Sequence, residues 1–556
     1  MSPQRKRREK IRESLESEER PKILSDIGIE RLLTRARLEN VGLVTRLVGT
    51  GGKVRPSQPR DRMLAEMARN STHSPNALLD DPGTAMVVAT VDVPPAARKG
   101  TLLDVTVDLS SHAEATSLER GWLVETPLME MSQLGGQVLE GFKYASGEGQ
   151  IVTVAQVTGS QDPKDQLKGM VIGGAVLLKQ RELGIGIHQE FADAVTLAAV
   201  LPEINKRFTI FQGSKHVGVA TPTDDNNIRV LVPHRYDRDP FHFISVVLNT
   251  AFNELPQERS ARVEQLTRQL QEPTTVRRAC WQLEALGEEA VPALLSAVNS
   301  TNPEIRFYAA HSLAYLDDRR AIAPLFELCK QEPAFQAMCL NGLSVISHYE
   351  AEDALRELLH AADPKCKYGA VRALRWRDER DPQVSSTVIG ETGKILEVPS
   401  EGPPLVAVSL SQIPEIVIFG SNPSLVLPEI EYVNPRMLVR TEGPGVVSIN
   451  HFEPGQEDRI VQAAPDLRAM LVGIAEAGGT YGDWVSFIRL CREKAYLAEP
   501  VAVNPIPEAG QVYHREQGQR LEPGEKLLDD TFIDSLPLLP DDEAQKEAKW
   551  YNPFSW

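Results

Sequence analysis

Apolar residues recur at every second position in AMVVATVDV (85–93) and LLDVTVDL (102–109), the period at which a strand turns successive side chains to opposite faces. This predicts strands over Met86–Val93 and Leu102–Leu109, joined through Pro94 and Pro95, which supply no ladder donor and so end one strand and aim the next. Between Ala261 and about Asp381 the period changes. Prolines at 273, 303, 333 and 364 follow one another at spacings of 30, 30 and 31. After them come TTVRRACWQLEAL, EIRFYAAHSLAYL, AFQAMCLNGLSVI and KCKYGAVRALRWR, with apolar or small residues at i, i+3, i+4 and i+7. Second helices follow in EEAVPALLSAV, RRAIAPLFELC and AEDALRELLHAA. A proline that opens a helix gives up only an N–H that would be unpaired there anyway. One such hairpin cannot bury its apolar face alone, so four repeats must stack into a short α-solenoid.

From about Val384 to Ala463 the runs KILEV, LVAVSLS, EIVIFG, LVLPEIEYV, MLVRTEG and VVSINHFE predict short strands between Pro, Gly and Asn turns, a small β domain of sandwich or barrel type. APDLRAMLVGIAEAGG, closing on Gly478-Gly479, and YGDWVSFIRLCREKAYL predict a helical pair beside it. The start, MSPQRKRREKIRESLESEERPK, reads as a solvated, disordered charged arm. The last residues, rich in Pro, Asp and Glu, read as a disordered tail. The expected division is an arm over 1–25, a mixed α/β region over 26–256, the solenoid over 261–381, the β-rich domain with its helical pair over 384–498, and the tail over 499–556. The fold class is multidomain α+β.

Composition narrows the function. The chain has 556 residues, 42% of them hydrophobic and 25% charged, with a formal net charge of −17; such an acidic balance argues against nucleic acid as a partner. No apolar run reaches the about 18 residues a membrane-spanning helix needs. Cys280, Cys329, Cys339, Cys366 and Cys491 lack CxxC spacing and read as buried apolar thiols. The GTGG turn lacks the Lys-Ser or Lys-Thr of a phosphate loop. His234 and His242 are separated across a proline without HExxH geometry, and Asp224-Asp225 lacks the Gly and Glu of a calcium loop. No GxSxG elbow or Cys–His pair stands out. Hence no catalytic, cofactor or metal residues, and no enzymatic activity, are expected. Arg277, Arg306 and Lys367 recur at one repeat position and read as solvated or helix-bridging charges. Trp550, Tyr551, Phe554 and Trp556 in the tail are candidate anchors for a partner's pocket, against the alternatives of a membrane interface or an inert end.

Pro94, Pro95, Arg98, Gly100, Asp104, Val105, Val107, Ser117, Leu118 and Gly121 follow the order Pro-Pro-x-x-Arg-x-Gly, Asp-Val-x-Val, Ser-Leu-x-Gly-Gly, with Arg120 standing where the first glycine of the last pair would be. NVGLVTRLVGTGG carries Gly42, Gly49, Gly51 and Gly52 in a matching glycine pattern. MVIGGAVLLKQRELGIGI (170–187) and IRVLVPHRYDRDPFHFISVVLNTAF (228–252) each read as a strand leading to a helix. On these segments residues 26–256 resemble the flagellar P-ring protein family, and the repeats resemble short HEAT repeats of the bilin-lyase type. The first resemblance implies a structural subunit of the bacterial flagellar basal body, a periplasmic ring of identical chains around the rod that serves motility. Its implied partners are other copies of the chain, rod and L-ring components, and peptidoglycan; the solenoid's partner is unknown. The charged start shows no apolar h-region of a secretory signal. The rival reading, a cytoplasmic HEAT scaffold that docks proteins and is not flagellar, accommodates that start; a bilin-lyase activity would need pigment chemistry that nothing else in the sequence supports. At Gly121 the turn is expected to require positive φ.

Overall fold

The computed structural model describes residues 3–16, 21–69, 74–134, 137–453, 457–508 and 513. Helices and strands are both abundant, in the order anticipated: a mixed region, a run of helices, then a β-rich unit.

Residues 36–177 form a closed barrel. Seven strands, Ala36–Thr45, Ala85–Val93, Leu102–Leu109, Trp122–Leu134, Gln137–Gln150, Val152–Thr153 and Lys168–Leu177, make one sheet, and Leu102–Leu109 pairs with both Ala85–Val93 and Lys168–Leu177. Alternation decides what lies inside: Val87, Ala89, Val91 and Val93 pack with Leu103, Val105 and Val107 in one core. Burying each valine of such a core stabilises by about 1.5–3 kcal/mol. A smaller cluster, including Met86, Met63 and Met67, seats the helix Gln58–Arg69 against the barrel's outside. Where Leu102–Leu109 meets Lys168–Leu177 the register shifts between Leu103 and Val105. A shift of this kind leaves backbone groups unpaired, and the carboxylate of Asp104 accepts the N–H of Gly173 at 2.7 Å there.

Beside the barrel lies an α/β layer, an antiparallel sheet in the order Gly28–Arg31, Leu183–Ile187, Asn227–Val230, Ala220–Asp224. The helices Ala194–Arg207 and Pro240–Leu248 share its core. Residues 228–252 therefore run from strand to helix as expected. Residues 170–187 do not: they form two strands joined by a turn, because the second strand enters a different sheet. The charged start also differs from expectation. Pro3–Glu16 is a helix whose Ile11 and Leu15, four residues apart, are buried in the α/β core, while Arg7 donates to the carbonyls of Gln189 and Ala192. A two-residue apolar stripe suffices for docking where a charge count reads only solvent.

The helical run is a solenoid with three full hairpins: Val276–Leu286 with Val291–Leu295, Pro303–Tyr315 with Ile322–Gln331, and Gln336–Val345 with Tyr349–Leu358. Pro303 and Pro364 stand at the first turn of their helices. Pro333 opens a 3-10 turn, and Pro273 lies in the turn before Val276. The fourth repeat has only its first helix, Pro364–Arg377; a β-sheet takes the place of the second.

That sheet has five strands, in the order Thr387–Ile389, Gly393–Val398, Glu415–Phe419, Leu405–Val408, Val501–Val503. Its inner strands are apolar on both faces, and parity sorts them. Val398, Leu405, Ala407, Val417 and Phe419 pack on the solenoid. Ile395, Val406, Val408, Ile416 and Ile418 pack on the helical pair Leu467–Glu476 and Tyr481–Glu493. A second, antiparallel sheet of four strands between Ile430 and Ala463 shares that latter core. The tail reading is corrected at its start: Val501–Val503 pairs in parallel with Val406–Val408. Residues 509–512 and 514–556 of the tail, with Trp550, Tyr551, Phe554 and Trp556, lie outside the described residues.

Candidate functional site at the interdomain seams

Of the residues that sequence reading singled out, Arg98, Asp104, Arg120 and His242 lie where the units meet. Arg98 ties the barrel to the α/β layer, its guanidinium donating to Asp237 Oδ1 at 2.6 and 2.9 Å and to the Val232 carbonyl at 3.3 Å. Gly100 has φ 88° and donates its N–H to the Leu177 carbonyl at 2.7 Å. Gly51 and Gly52 are held by close approach: a Cβ on either would lie 2.1 or 2.2 Å from the carbonyl oxygen of Thr84 or Glu114. Their amides are spent on the Pro82 and Thr84 carbonyls, so the glycine turn pairs with backbone instead of cradling an anion.

The barrel meets the C-terminal unit through Asp104 and Arg120. Besides Gly173, Asp104 accepts from Ser411 Oγ at 3.0 Å and from the Gln412 N–H at 2.8 Å. Burial pushes its carboxyl pKa up, against these hydrogen bonds, which favour the anion. Arg120 adopts φ 63°. Its guanidinium contacts His451 Nε2 at 2.6 Å, donates to the Gly478 carbonyl at 3.0 Å and lies 3.8 Å from the fully buried Asp483. His451 Nδ1 faces the Ala477 carbonyl at 2.9 Å, so that nitrogen carries the proton and Nε2 accepts from Arg120. Burial, then the Arg120 charge, lower the His451 pKa and keep the ring neutral. Asp483 also takes the N–H and hydroxyl of Thr480 at 2.7 and 3.0 Å, capping its helix. The positive φ expected at Gly121 therefore belongs to Arg120. Gly121 is required for space, since a Cβ there would sit 2.5 Å from Val44 Cγ1.

The α/β layer meets the solenoid around Glu284, which is fully buried on the first repeat helix. It accepts from Tyr236 Oη at 2.9 Å and pairs with His242 Nε2 at 2.8 Å. Burial opposes charge on His242, but Glu284 and then Asp239 outweigh it and raise its pKa above the ordinary imidazole value. The His311 ring packs edge-on against His242, centroids 4.5 Å apart. Burial, then His242, hold the His311 pKa well below the ordinary value. Arg207 donates to the Glu284 carbonyl at 3.2 Å, and Arg235 donates to the Tyr315 carbonyl and to Asp317 at 3.1 and 3.0 Å. His234, in contrast, is exposed, pairs with Asp237 at 2.6 Å and stacks on Trp376. The two histidines are thus not brought together.

At the far end of the solenoid Arg375 forms a bidentate pair with the buried Glu415, both contacts 3.0 Å, a geometry that fixes orientation as well as charge. Lys367 is buried and donates to the Pro403 carbonyl, while Arg277 lies over the Trp281 and Tyr308 rings at 5.5 and 5.7 Å. These repeat-position cations bridge elements. Sequence reading missed Glu284, His311 and Tyr315; the available signal was a glutamate and a histidine inside otherwise apolar helical stripes. Among the described residues no group of three or more His, Cys, Asp or Glu could hold a metal, and no helix is long and apolar enough to cross a membrane. These ion pairs and hydrogen bonds cross from one unit to the next, an arrangement that holds units in register.

Comparison with known proteins agrees with this organisation. Residues 24–267 match the family model for the flagellar P-ring protein, and residues 261–335 match that for HEAT repeats. The flagellar P-ring protein of Pseudothermotoga lettingae is 28% identical over 234 residues, 40% of this chain and 65% of its own length. That of Thermotoga maritima is 26% identical over 235 residues, again 40% and 65%. That of Pectobacterium carotovorum subsp. carotovorum is 31% identical over 228 residues, 38% and 56%. The chain spans less than two thirds of the length of these relatives. It thus joins a region similar to the flagellar P-ring protein family, residues 24–267, to HEAT repeats that begin at residue 261.

Proposed function

We propose that this chain is a structural subunit of the bacterial flagellar basal body, assembling with copies of itself into a P-ring-like ring around the rod in the periplasm and serving motility without catalysing a reaction. The observation that carries the reading is the match over residues 24–267, supported by the structural use the fold makes of Arg98, Gly100, Asp104 and Gly121. A ring needs heterologous contacts that close. On this reading rod and L-ring components and peptidoglycan are neighbours. The working division is 26–256 for the ring-forming part, 261–381 for the solenoid and 384–498 for the C-terminal unit, the last two being a rigid extension that recruits a further component. Tagging the native gene, isolating basal bodies and locating the protein by mass spectrometry and electron microscopy tests this. Presence in a ring at the rod is the expected outcome. Recovery from the cytoplasm of motile cells, with none at the rod, would replace it by the HEAT-scaffold reading.

A further inference from the structure

Two thiols of the solenoid core face each other across repeats. Cys329, on the helix Ile322–Gln331, and Cys366, on Pro364–Arg377, are both fully buried with their Sγ atoms 3.1 Å apart. A disulfide needs about 2.05 Å between sulfurs, so a movement of about 1 Å closes the bond. The helices belong to different repeats, and 37 residues separate the two cysteines; a cross-link closing a loop of that size restricts the unfolded chain strongly. Cys366 sits in the first turn of its helix, fixed by its N–H donating to Asp363 Oδ2 at 3.2 Å. Cys339 is the remaining buried thiol near this pair, on the intervening helix Gln336–Val345.

We propose that Cys329 and Cys366 form a disulfide when the chain folds in an oxidising compartment, stapling the second repeat to the fourth; that the bond exists in the native protein rests on the periplasmic reading above. One thiol, as thiolate, attacks the sulfur of an external disulfide, such as that of a dithiol oxidoreductase or glutathione disulfide, and releases one thiolate. The second cysteine then attacks this mixed disulfide and releases the other. In sum the two cysteines lose two protons and two electrons, and the donor disulfide is reduced to two thiols. Because both sulfurs are buried in the finished solenoid, the exchange takes place on the folding chain.

The test uses the full chain, exported to a bacterial periplasm behind a cleavable leader, alkylated in denaturant and mapped by mass spectrometry without reduction; the same chain made in a reducing cytosol is the control. The expected result is a peptide pair linking Cys329 to Cys366 in the exported chain alone, retained in Cys339→Ser, lost in Cys329→Ser, and accompanied by a Tm higher by roughly 5 °C than after reduction. Exported, folded chain with both cysteines alkylated overturns the proposal, as does a bridge through Cys339. If the exported chain is degraded, unfolding the cytosolic chain in urea and refolding it in glutathione and glutathione disulfide gives the same two readouts. The native location plays no part in this experiment, so the bond and the ring reading fail separately.

Discussion

At the scale of single residues, the turn 117–121 shows how a motif and its departure divide the labour. Ser117 Oγ accepts the Glu119 N–H at 3.1 Å, Leu118 is fully buried, and the Gly121 N–H returns to the Leu118 carbonyl at 3.0 Å. Gly121→Val should destabilise the chain by about 1–3 kcal/mol through overpacking against Val44 and Leu118; thermal unfolding reads this, and an unaltered midpoint would contradict the close approach. Arg120→Gly relieves a left-handed residue, worth about 1 kcal/mol, but strips the buried Asp483 and His451 of their cation. Losing that cation outweighs the relief, for a net destabilisation of about 2 kcal/mol, together with faster proteolysis between barrel and C-terminal unit. A variant as stable and protease-resistant as the parent would show that the seam does not depend on Arg120. The importance of this turn was legible in the sequence. Its cause was not, because whether a glycine serves φ or space depends on a strand that arrives from seventy-odd residues earlier.

At the scale of elements, periodicity located the repeat helices and the strands 85–93 and 102–109, and a side-chain cap starts some of those helices. Asn302 Oδ1 accepts the N–H groups of Glu304 and Ile305 at 2.9 and 3.3 Å, so Asn302→Ala should cost about 1 kcal/mol in chemical denaturation. The seam between Pro240–Leu248 and Val276–Leu286 adds a pH dependence. His242 has a folded-state pKa above its unfolded value, so its pairing stabilises fully below about pH 6.5 and is lost as pH rises through the raised value. His311 works in the opposite direction: its lowered pKa opposes folding once pH falls below about 6.5. The groups facing them are Tyr236, Asp239, Glu284, Tyr315 and the cations Arg207, Arg235 and Arg238. The difference in Tm between wild type and His242→Gln should therefore be largest near about pH 6 and shrink toward alkaline pH; a difference that stays flat would place the His242 contribution in packing alone. Glu284 stands inside an apolar helical stripe, yet sequence reading passed over it, because its partners Tyr236 and His242 come from another unit.

For the whole molecule, the solenoid is continuous with what flanks it. A chain ending after Asp381 would lose Glu415, the partner of Arg375, together with the apolar strands Leu405–Val408 and Glu415–Phe419. Such a truncation should unfold at a lower temperature than the full chain and self-associate through the uncovered face, as size-exclusion chromatography would report; a stable monomer would make the sheet a separate body. The sequence by itself determined the order of strand-rich, helical and strand-rich regions, the 30-residue repeat and the parity of the core positions, because backbone geometry repeats locally at two or about 3.6 residues. Only the tertiary structure decided that the first sheet closes into a barrel, that the charged start docks through Ile11 and Leu15, that a sheet replaces the fourth hairpin's second helix, and that Asp104, Arg120, Glu284 and Cys329 meet partners from distant segments. Those outcomes depend on which surfaces meet after collapse, and pairing between residues far apart in sequence leaves no local period to read.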